Sequence, residues 1–184
     1  MKFRELGIKG AWLATANTFN DDRGLFYEWY RKSHIDKITG GDFSASQVNI
    51  SYSKKGVIRG IHYSLSKQGQ AKFVTCITGS IWDVIVDIRP KSPTFKKWIG
   101  VTLNSVTGDS LFISKGLGHA FISLEEMSIV SYVLSSEYDP DMEYEICPLD
   151  QDLKINWPIQ SQLLSSKDRF APTLKQQIAA GRIW

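Results

Sequence analysis

Through the middle of the chain, β-branched and aromatic residues alternate with polar ones in short runs bounded by Gly, Pro, Asn, Asp or Ser. A period of two is the pattern of a half-buried strand, because successive side chains point to opposite faces of a sheet. Eight such runs predict strands at Gln47–Ser53, Val57–Tyr63, Lys72–Thr78, Ile81–Ile88, Lys97–Leu103, Ser110–Ile113, His119–Ser123 and Ser128–Ser135. Strands this short and this closely spaced predict a β-sandwich or barrel. Thr78-Gly79-Ser80 reads as a tight turn and predicts a hairpin between the third and fourth runs. Helices are a minor component: Ser33–Ile38 ends at Gly40-Gly41, and Thr173–Ala180 ends at Gly181. No linker, internal repeat or low-complexity tract interrupts the pattern.

Composition narrows the classes. With 184 residues, 42% of them hydrophobic, the chain supports one full core and predicts one domain over residues 1–184. Met1-Lys2-Phe3-Arg4-Glu5 leads into mixed sequence without a secretory apolar stretch. No apolar run approaches the roughly 18 residues a membrane helix needs, and a soluble, cytoplasmic protein is expected. The 22 basic and 19 acidic residues are interspersed, which suits a small anionic ligand better than a polynucleotide. Cys76 and Cys147 lie far apart without Cys-x-x-Cys spacing and read as free thiols, so neither a disulfide framework nor a zinc site is predicted.

Two spacings carry candidate chemistry. Gly56 is followed after five residues by His62, then by Ser64, Lys72 and Gly79; Gly108 is followed by Ser114-Lys115-Gly116 and His119. These resemble the two cupin motifs, in which His, His and Glu from the first and a His from the second hold a metal inside a small β-barrel. Here Ser64 and Lys72 occupy two of the ligand positions, and a hydroxyl and an ammonium do not meet the ligand needs of Zn²⁺, Fe²⁺ or Mn²⁺. The prediction is a site without a metal. A lone histidine on an apolar strand is ordinarily a hydrogen-bonded core residue. His62, however, shares its strand with Arg59, three residues away; the two project to opposite faces unless Gly60 marks a bulge. A lysine at a strand start is usually a solvated edge charge. The place of Lys72 in a ligand slot argues that it points inward.

Nearly the whole chain resembles one family. The stretches that carry the likeness run from Phe19 through Arg23 to Glu28, then Gln47-Val48-Asn49, Gly56 to Tyr63, Gln70-Ala71-Lys72, Asp83 to Arg89 and Ser92-Pro93-Thr94-Phe95. They continue with Gly116 to Phe121, Tyr132, Tyr138-Asp139-Pro140 with Glu143, Trp157-Pro158, Leu164 to Asp168 and Ala171 to Leu174. In this order and spacing they resemble dTDP-4-dehydrorhamnose 3,5-epimerase and the related deoxysugar epimerases.

The resemblance implies an all-β, cupin-type jelly-roll barrel or sandwich with short peripheral helices. It implies a metal-independent isomerase without cofactor that epimerises C3 and C5 of dTDP-4-keto-6-deoxy-D-glucose to give dTDP-4-keto-L-rhamnose. His62 matches the base, Asp168 its carboxylate partner, Lys72 the cation near the sugar O4 and Tyr132 the proton donor. Among substrate contacts, Arg23 and Arg59 match positions that grip the pyrophosphate, Glu28 a base contact and Tyr138 an aromatic that stacks on thymine. Phe26, Gln47, Asn49, His119, Glu143 and Lys167 match further contacts. Family members are dimers that exchange strands, so a homodimer is implied. A 3-only or 5-only epimerase of a related sugar uses the same residues, and a non-catalytic sugar-nucleotide-binding cupin is the alternative from another class. Ser114-Lys115 and Tyr144 to Pro148 depart from the commonest family pattern, beside the substrate contacts and away from the acid and the base.

Overall fold

The structure, a computed structural model, describes residues 1–184. Its strands are β1 (Lys2–Glu5), β2 (Ala11–Thr15), β3 (Thr18–Asp21), β4 (Gly24–Tyr27), β5 (Gln47–Ser53), β6 (Ile58–Ser64), β7 (Lys72–Thr78), β8 (Ser80–Asp87), β9 (Trp98–Asn104), β10 (Asp109–Ile113), β11 (Leu117–Ser123), β12 (Ser128–Leu134) and β13 (Glu143–Glu145). The helices are α1 (Lys32–Thr39), α2 (Ser166–Arg169) and α3 (Leu174–Ala179). A six-stranded sheet in the order β1-β2-β10-β7-β12-β5 faces a five-stranded sheet in the order β13-β6-β11-β8-β9, and β3-β4 forms a separate hairpin. No pairing joins the edges of the two large sheets, so of the two all-β outcomes the fold is the sandwich, not the closed barrel.

The eight runs of alternating residues became β5 to β12, with ends shifted by at most two residues. The hairpin prediction at Gly79 was wrong. β7 pairs with β10 and β12, and β8 pairs with β11 and β9, so Thr78-Gly79-Ser80 carries the chain from one sheet to the other. Both strands bury alternate residues in the same interior, Val74 and Cys76 from one and Ile81 and Ile85 from the other, which requires them to face each other and not to lie edge to edge.

Each sheet buries residues on its outer face as well as on its inner one. Between the sheets lies a core of Val74, Cys76, Ile81, Ile85, Leu103, Leu111, Leu117, Phe121 and Val130, joined by Ile8. The outer face of the five-stranded sheet, including Ile61, Tyr63, Val84 and Ala120, is covered by Ile146, Leu153 and Leu174 of the C-terminal segment. Part of the outer face of the six-stranded sheet, including Phe73, Phe112 and Val133, is covered by Ile35 of α1 and Phe43. Both cysteines are free thiols: Cys76 is buried and Cys147 half-buried.

A buried carboxylate organises the turn after β8. Asp87 accepts two hydrogen bonds from the Arg89 guanidinium, at 2.8 Å each, and further ones from the hydroxyls of Ser92 and Thr94. Burial alone would raise this carboxyl, but Arg89, Ser92 and Thr94 bring it down to about 2. A group whose pKa is lower in the folded chain adds stability above its unfolded pKa and loses it as pH falls through the folded value. Asp87→Asn is therefore expected to lose roughly 2 kcal/mol in urea unfolding near neutral pH, and the gap from wild type should close as pH drops from about 4 to about 2. A gap independent of pH would contradict this account of the turn.

Candidate active site

The site is built around a bulge in β6. His119 of β11 stands opposite His62, whereas Phe121, two residues on, stands opposite Arg59, three residues back. The extra residue falls at Gly60-Ile61, where the peptide bond is cis. Gly60 has φ 119°, and a Cβ there would lie 2.5 Å from both the Ala120 Cβ and the His119 carbonyl oxygen. Only glycine fits. The bulge turns Arg59 to the side of His62, and both line one cavity with Leu164, Lys167 and Asp168. The Arg59 guanidinium is steadied by hydrogen bonds of 3.0 Å to Ser53 Oγ and to the Tyr52 carbonyl.

Asp168 reaches His62 from α2, far away in sequence. Ser165 caps that helix: its Oγ accepts from the Asp168 backbone N–H at 3.0 Å and donates to Asp168 Oδ2 at 2.9 Å. The other oxygen, Oδ1, is 2.7 Å from His62 Nε2. Burial pushes the Asp168 carboxyl up, but the His62 hydrogen bond and charge, with help from Ser165 and Lys167, hold it below its ordinary value. An ionised carboxylate only accepts, so Nε2 carries the hydrogen and Nδ1 is left with its lone pair. The Asp168 side chain is 5% exposed and that of His62 36%, so the pair is buried at its carboxylate end and open at its imidazole end.

On the other side of His62 a second cavity is lined by Asn49, Gln70, Lys72, Tyr132, Leu134, Tyr138, Glu143, Tyr144 and Lys167. Lys72 does point inward: it is 8% exposed, and its Nζ has one hydrogen bond, to the His62 carbonyl at 3.5 Å. Burial pushes the ammonium below its ordinary value, while Glu143 and Asp83 pull it back up. Burial likewise raises the Glu143 carboxyl, opposed by Lys72, Ser64, His62 and Lys167. Deeper in, His119 Nε2 is 2.8 Å from Asp83 Oδ2, and Asp83 Oδ1 is buried without a hydrogen-bond partner. Gln47 braces the rim, donating to Asn49 Oδ1 at 2.8 Å and accepting from the Tyr138 backbone N–H at 2.8 Å.

Thus Asn49, Arg59, His62, Lys72, Tyr132, Tyr138, Glu143, Lys167 and Asp168 line two cavities that share His62 and Lys167. Four of the predicted site residues lie elsewhere within the chain. Arg23 pairs with Asp21 on the exposed β3-β4 hairpin, Phe26 is 70% exposed there, and Glu28 pairs with Arg31 at 2.7 Å. His119 is buried against Asp83 and lines neither cavity. Sequence reading passed over Gln70, Asp83 and Ser165 as individual participants. Asp83 had a signal, being an acid between Ile81 and Ile85 on the inward face of its strand, and so did Ser165, a cap residue three before an acid. No cluster of three or more His, Cys, Asp or Glu side chains has an arrangement that would hold a metal.

An imidazole backed by its own carboxylate, a buried ammonium and a phenol around one cleft between two sheets define an acid–base enzyme. Residues 5–176 match the family model for dTDP-4-dehydrorhamnose 3,5-epimerase, and the chain belongs to that family of isomerases. It is 41% identical to the dTDP-4-dehydrorhamnose 3,5-epimerase of Mycobacterium tuberculosis, over 98% of this chain and 91% of the relative. Its fold superposes with a TM-score of 0.97 on a 4-keto-6-deoxy sugar epimerase from the novobiocin biosynthetic gene cluster of Streptomyces spheroides, 39% identical, covering 100% of this chain and 92% of the other. A 3'-monoepimerase from Streptomyces bikiniensis, solved in complex with dTDP-quinovose, superposes with a TM-score of 0.93 at 40% identity, covering 97% and 90%. No helix is long and apolar enough to cross a membrane.

Proposed function

We propose that the chain, working as one domain, epimerises dTDP-4-keto-6-deoxy-D-glucose at C3 and C5 to give dTDP-4-keto-L-rhamnose. The observation that carries this reading is the His62–Asp168 pair opening on the cleft that Lys72 and Tyr132 also line. A C–H beside a ketone loses its proton only as the electrons move onto the carbonyl oxygen, so a base, a cation at that oxygen and an acid on the opposite face are needed. His62 Nδ1 takes the proton, and Asp168 stabilises the imidazolium that results. The Lys72 ammonium meets the negative charge developing on O4. Tyr132 returns a proton to the other face, and the centre is inverted. Arg59 and Lys167, beside His62, suit the pyrophosphate, which a guanidinium grips through paired hydrogen bonds.

The same parts serve a 3-only epimerase, and the likeness to the 3'-monoepimerase favours keeping that reading. Solvent exchange separates the two: in D₂O with the proposed substrate, NMR should show deuterium at both C3 and C5. Label at C3 alone selects the monoepimerase, and no label at either centre refutes the activity. His62→Ala should slow exchange by a factor on the order of 10² to 10⁴, whereas Tyr132→Phe should keep exchange and lose inversion. Undiminished turnover by His62→Ala would remove it as the base.

The functional unit in this reading is a cytoplasmic homodimer that exchanges strands. Supporting it, β5 is an edge strand whose outward residues Val48, Ile50 and Tyr52 are 60%, 57% and 63% exposed, an aggregation-prone surface unless covered. Exchange of the β3-β4 hairpin would bring Arg23, Phe26 and Glu28 to the neighbour's cleft. Sedimentation equilibrium should give a dimer at micromolar concentration for the wild type and a monomer for the double substitution Val48→Asp with Ile50→Asp. A monomeric wild type would overturn the assembly.

A further inference from the structure

Several polar groups around the cleft are held by partners within the chain: Asp168 by His62, Asp83 by His119, and Lys167 by Glu145 at 3.1 Å. Gln70 differs, because only one end of its amide is used. Its Nε2 donates to Ser136 Oγ at 3.2 Å and to Glu143 Oε1 at 3.4 Å. A carboxylate accepts and does not donate, so the NH₂ end of the amide belongs toward Glu143 and the carbonyl end faces away. Gln70 is 7% exposed, and its Oε1 has no hydrogen bond within the chain. Unlike Asp83 Oδ1, that oxygen is not sealed in the interior, so it opens on the cleft that Gln70 lines.

The course of the chain sets what lies beside it. Ala71 and Phe73 pack into the apolar cluster on the outer face of the six-stranded sheet. Alternate residues of an extended chain face opposite ways, so Gln70 and Lys72 turn inward together, and both line the cleft. Two residues of extended chain span about 7 Å, so their side chains enter at neighbouring points. A sugar whose ketone oxygen lies at Lys72 therefore offers Gln70 one of the two carbons beside the ketone. Those carbons carry different groups: C3 has a hydroxyl, which donates, and C5 has a methyl group, which does not. A half-desolvated amide oxygen gains from a donor and loses against a methyl group.

Resting on the epimerase reading above, we infer that Gln70 is a specificity-determining residue that accepts a hydrogen bond from the C3 hydroxyl of the sugar. Lys72 holds the ketone oxygen and Gln70 the hydroxyl next to it, so the ring is fixed in rotation as well as in place. Ser136 and Glu143 keep the amide aimed. Gln70 neither takes nor gives the proton that moves, and its work is to distinguish a 4-keto sugar with a hydroxyl at C3 from one without.

Deuterium uptake at C3 in D₂O, followed by NMR, tests this on wild type and Gln70→Leu with two substrates. One is dTDP-4-keto-6-deoxy-D-glucose, and the other is its analogue with hydrogen in place of the C3 hydroxyl. Leucine fills a similar space but has no acceptor. On the first substrate the variant should lose about tenfold or more in kcat/KM, whereas on the 3-deoxy analogue the two proteins should agree within about threefold. If Gln70 only braces Glu143, the variant loses the same factor on both substrates, and that result would overturn the inference. So would a loss on neither, or a penalty that persists with the 3-deoxy analogue and disappears with a 2-deoxy one. Should the leucine variant not fold, Gln70→Asn carries the same comparison, because its amide is one methylene too short to reach. Each of these outcomes leaves the epimerase in place. If the wild type exchanges no proton on any of these sugars, the epimerase reading itself fails.

Discussion

Moving an ammonium group from water into the gap between two β-sheets costs several kcal/mol unless opposite charge comes with it, and Lys72 occupies that gap with 8% of its surface exposed. Two carboxylates share its field, Asp83 from β8 and Glu143 from β13, and neither forms a close ion pair with it. A direct pair would satisfy the ammonium and leave nothing for a ligand. The single long hydrogen bond of Nζ, to the His62 carbonyl, leaves the charge available to an oxygen that becomes negative in the cleft.

The rest of the interior follows from that constraint. One part of the space between the sheets is an apolar core of Val74, Cys76, Ile81, Leu111 and Phe121, where burial lifts the Cys76 thiol to about 11. Another part is lined by charged and polar groups that hold one another in place. His119 faces His62 across the β6-β11 pairing, and each imidazole has its own carboxylate. The inner pair is sealed and serves the core, whereas the outer one opens on the cleft. Next to them, the bulge at Gly60 brings Arg59 beside His62, and the capped turn at Ser165 delivers Asp168. Catalytic geometry here depends on elements distant in sequence being locked by backbone features that only particular residues allow.

The strands were legible because the alternation of apolar and polar residues in Gln47–Ser53 or Ser128–Leu134 suits an extended chain whose successive side chains face opposite ways, although in β5 it is the apolar Val48, Ile50 and Tyr52 that are exposed. The bulge was legible as a condition, since Arg59 and His62 could share a side only if Gly60 inserted a residue. The strand pairing was not legible. Thr78-Gly79-Ser80 has the chemistry of a hairpin turn, but a glycine with φ 74° serves equally where a chain crosses between sheets, and local sequence does not record which long-range partner wins. The strands β1 to β4 and β13 were missed because they are short or mostly exposed and lack a clean apolar stripe. In the site, His62 and Lys72 were marked by the cupin-type spacing and given roles by the family likeness, which alone marked Tyr132 and Asp168, whereas the particular contacts of Gln70, Asp83 and Ser165 emerge only when side chains have positions. Residues Arg23, Phe26 and Glu28 show the reverse: the likeness marks them, yet one chain alone does not bring them to the cleft.

The central claim is that base and acid address opposite faces of one sugar ring. A crystal structure of the protein with an unreactive dTDP-hexose tests it most directly. The account predicts the ring between His62 and Tyr132, with His62 Nδ1 and the Tyr132 hydroxyl about 3–3.5 Å from opposite faces of the carbon to be inverted and Lys72 Nζ against O4. A ring bound with both side chains on one face, or with the sugar outside the cleft that Lys72 lines, would contradict it.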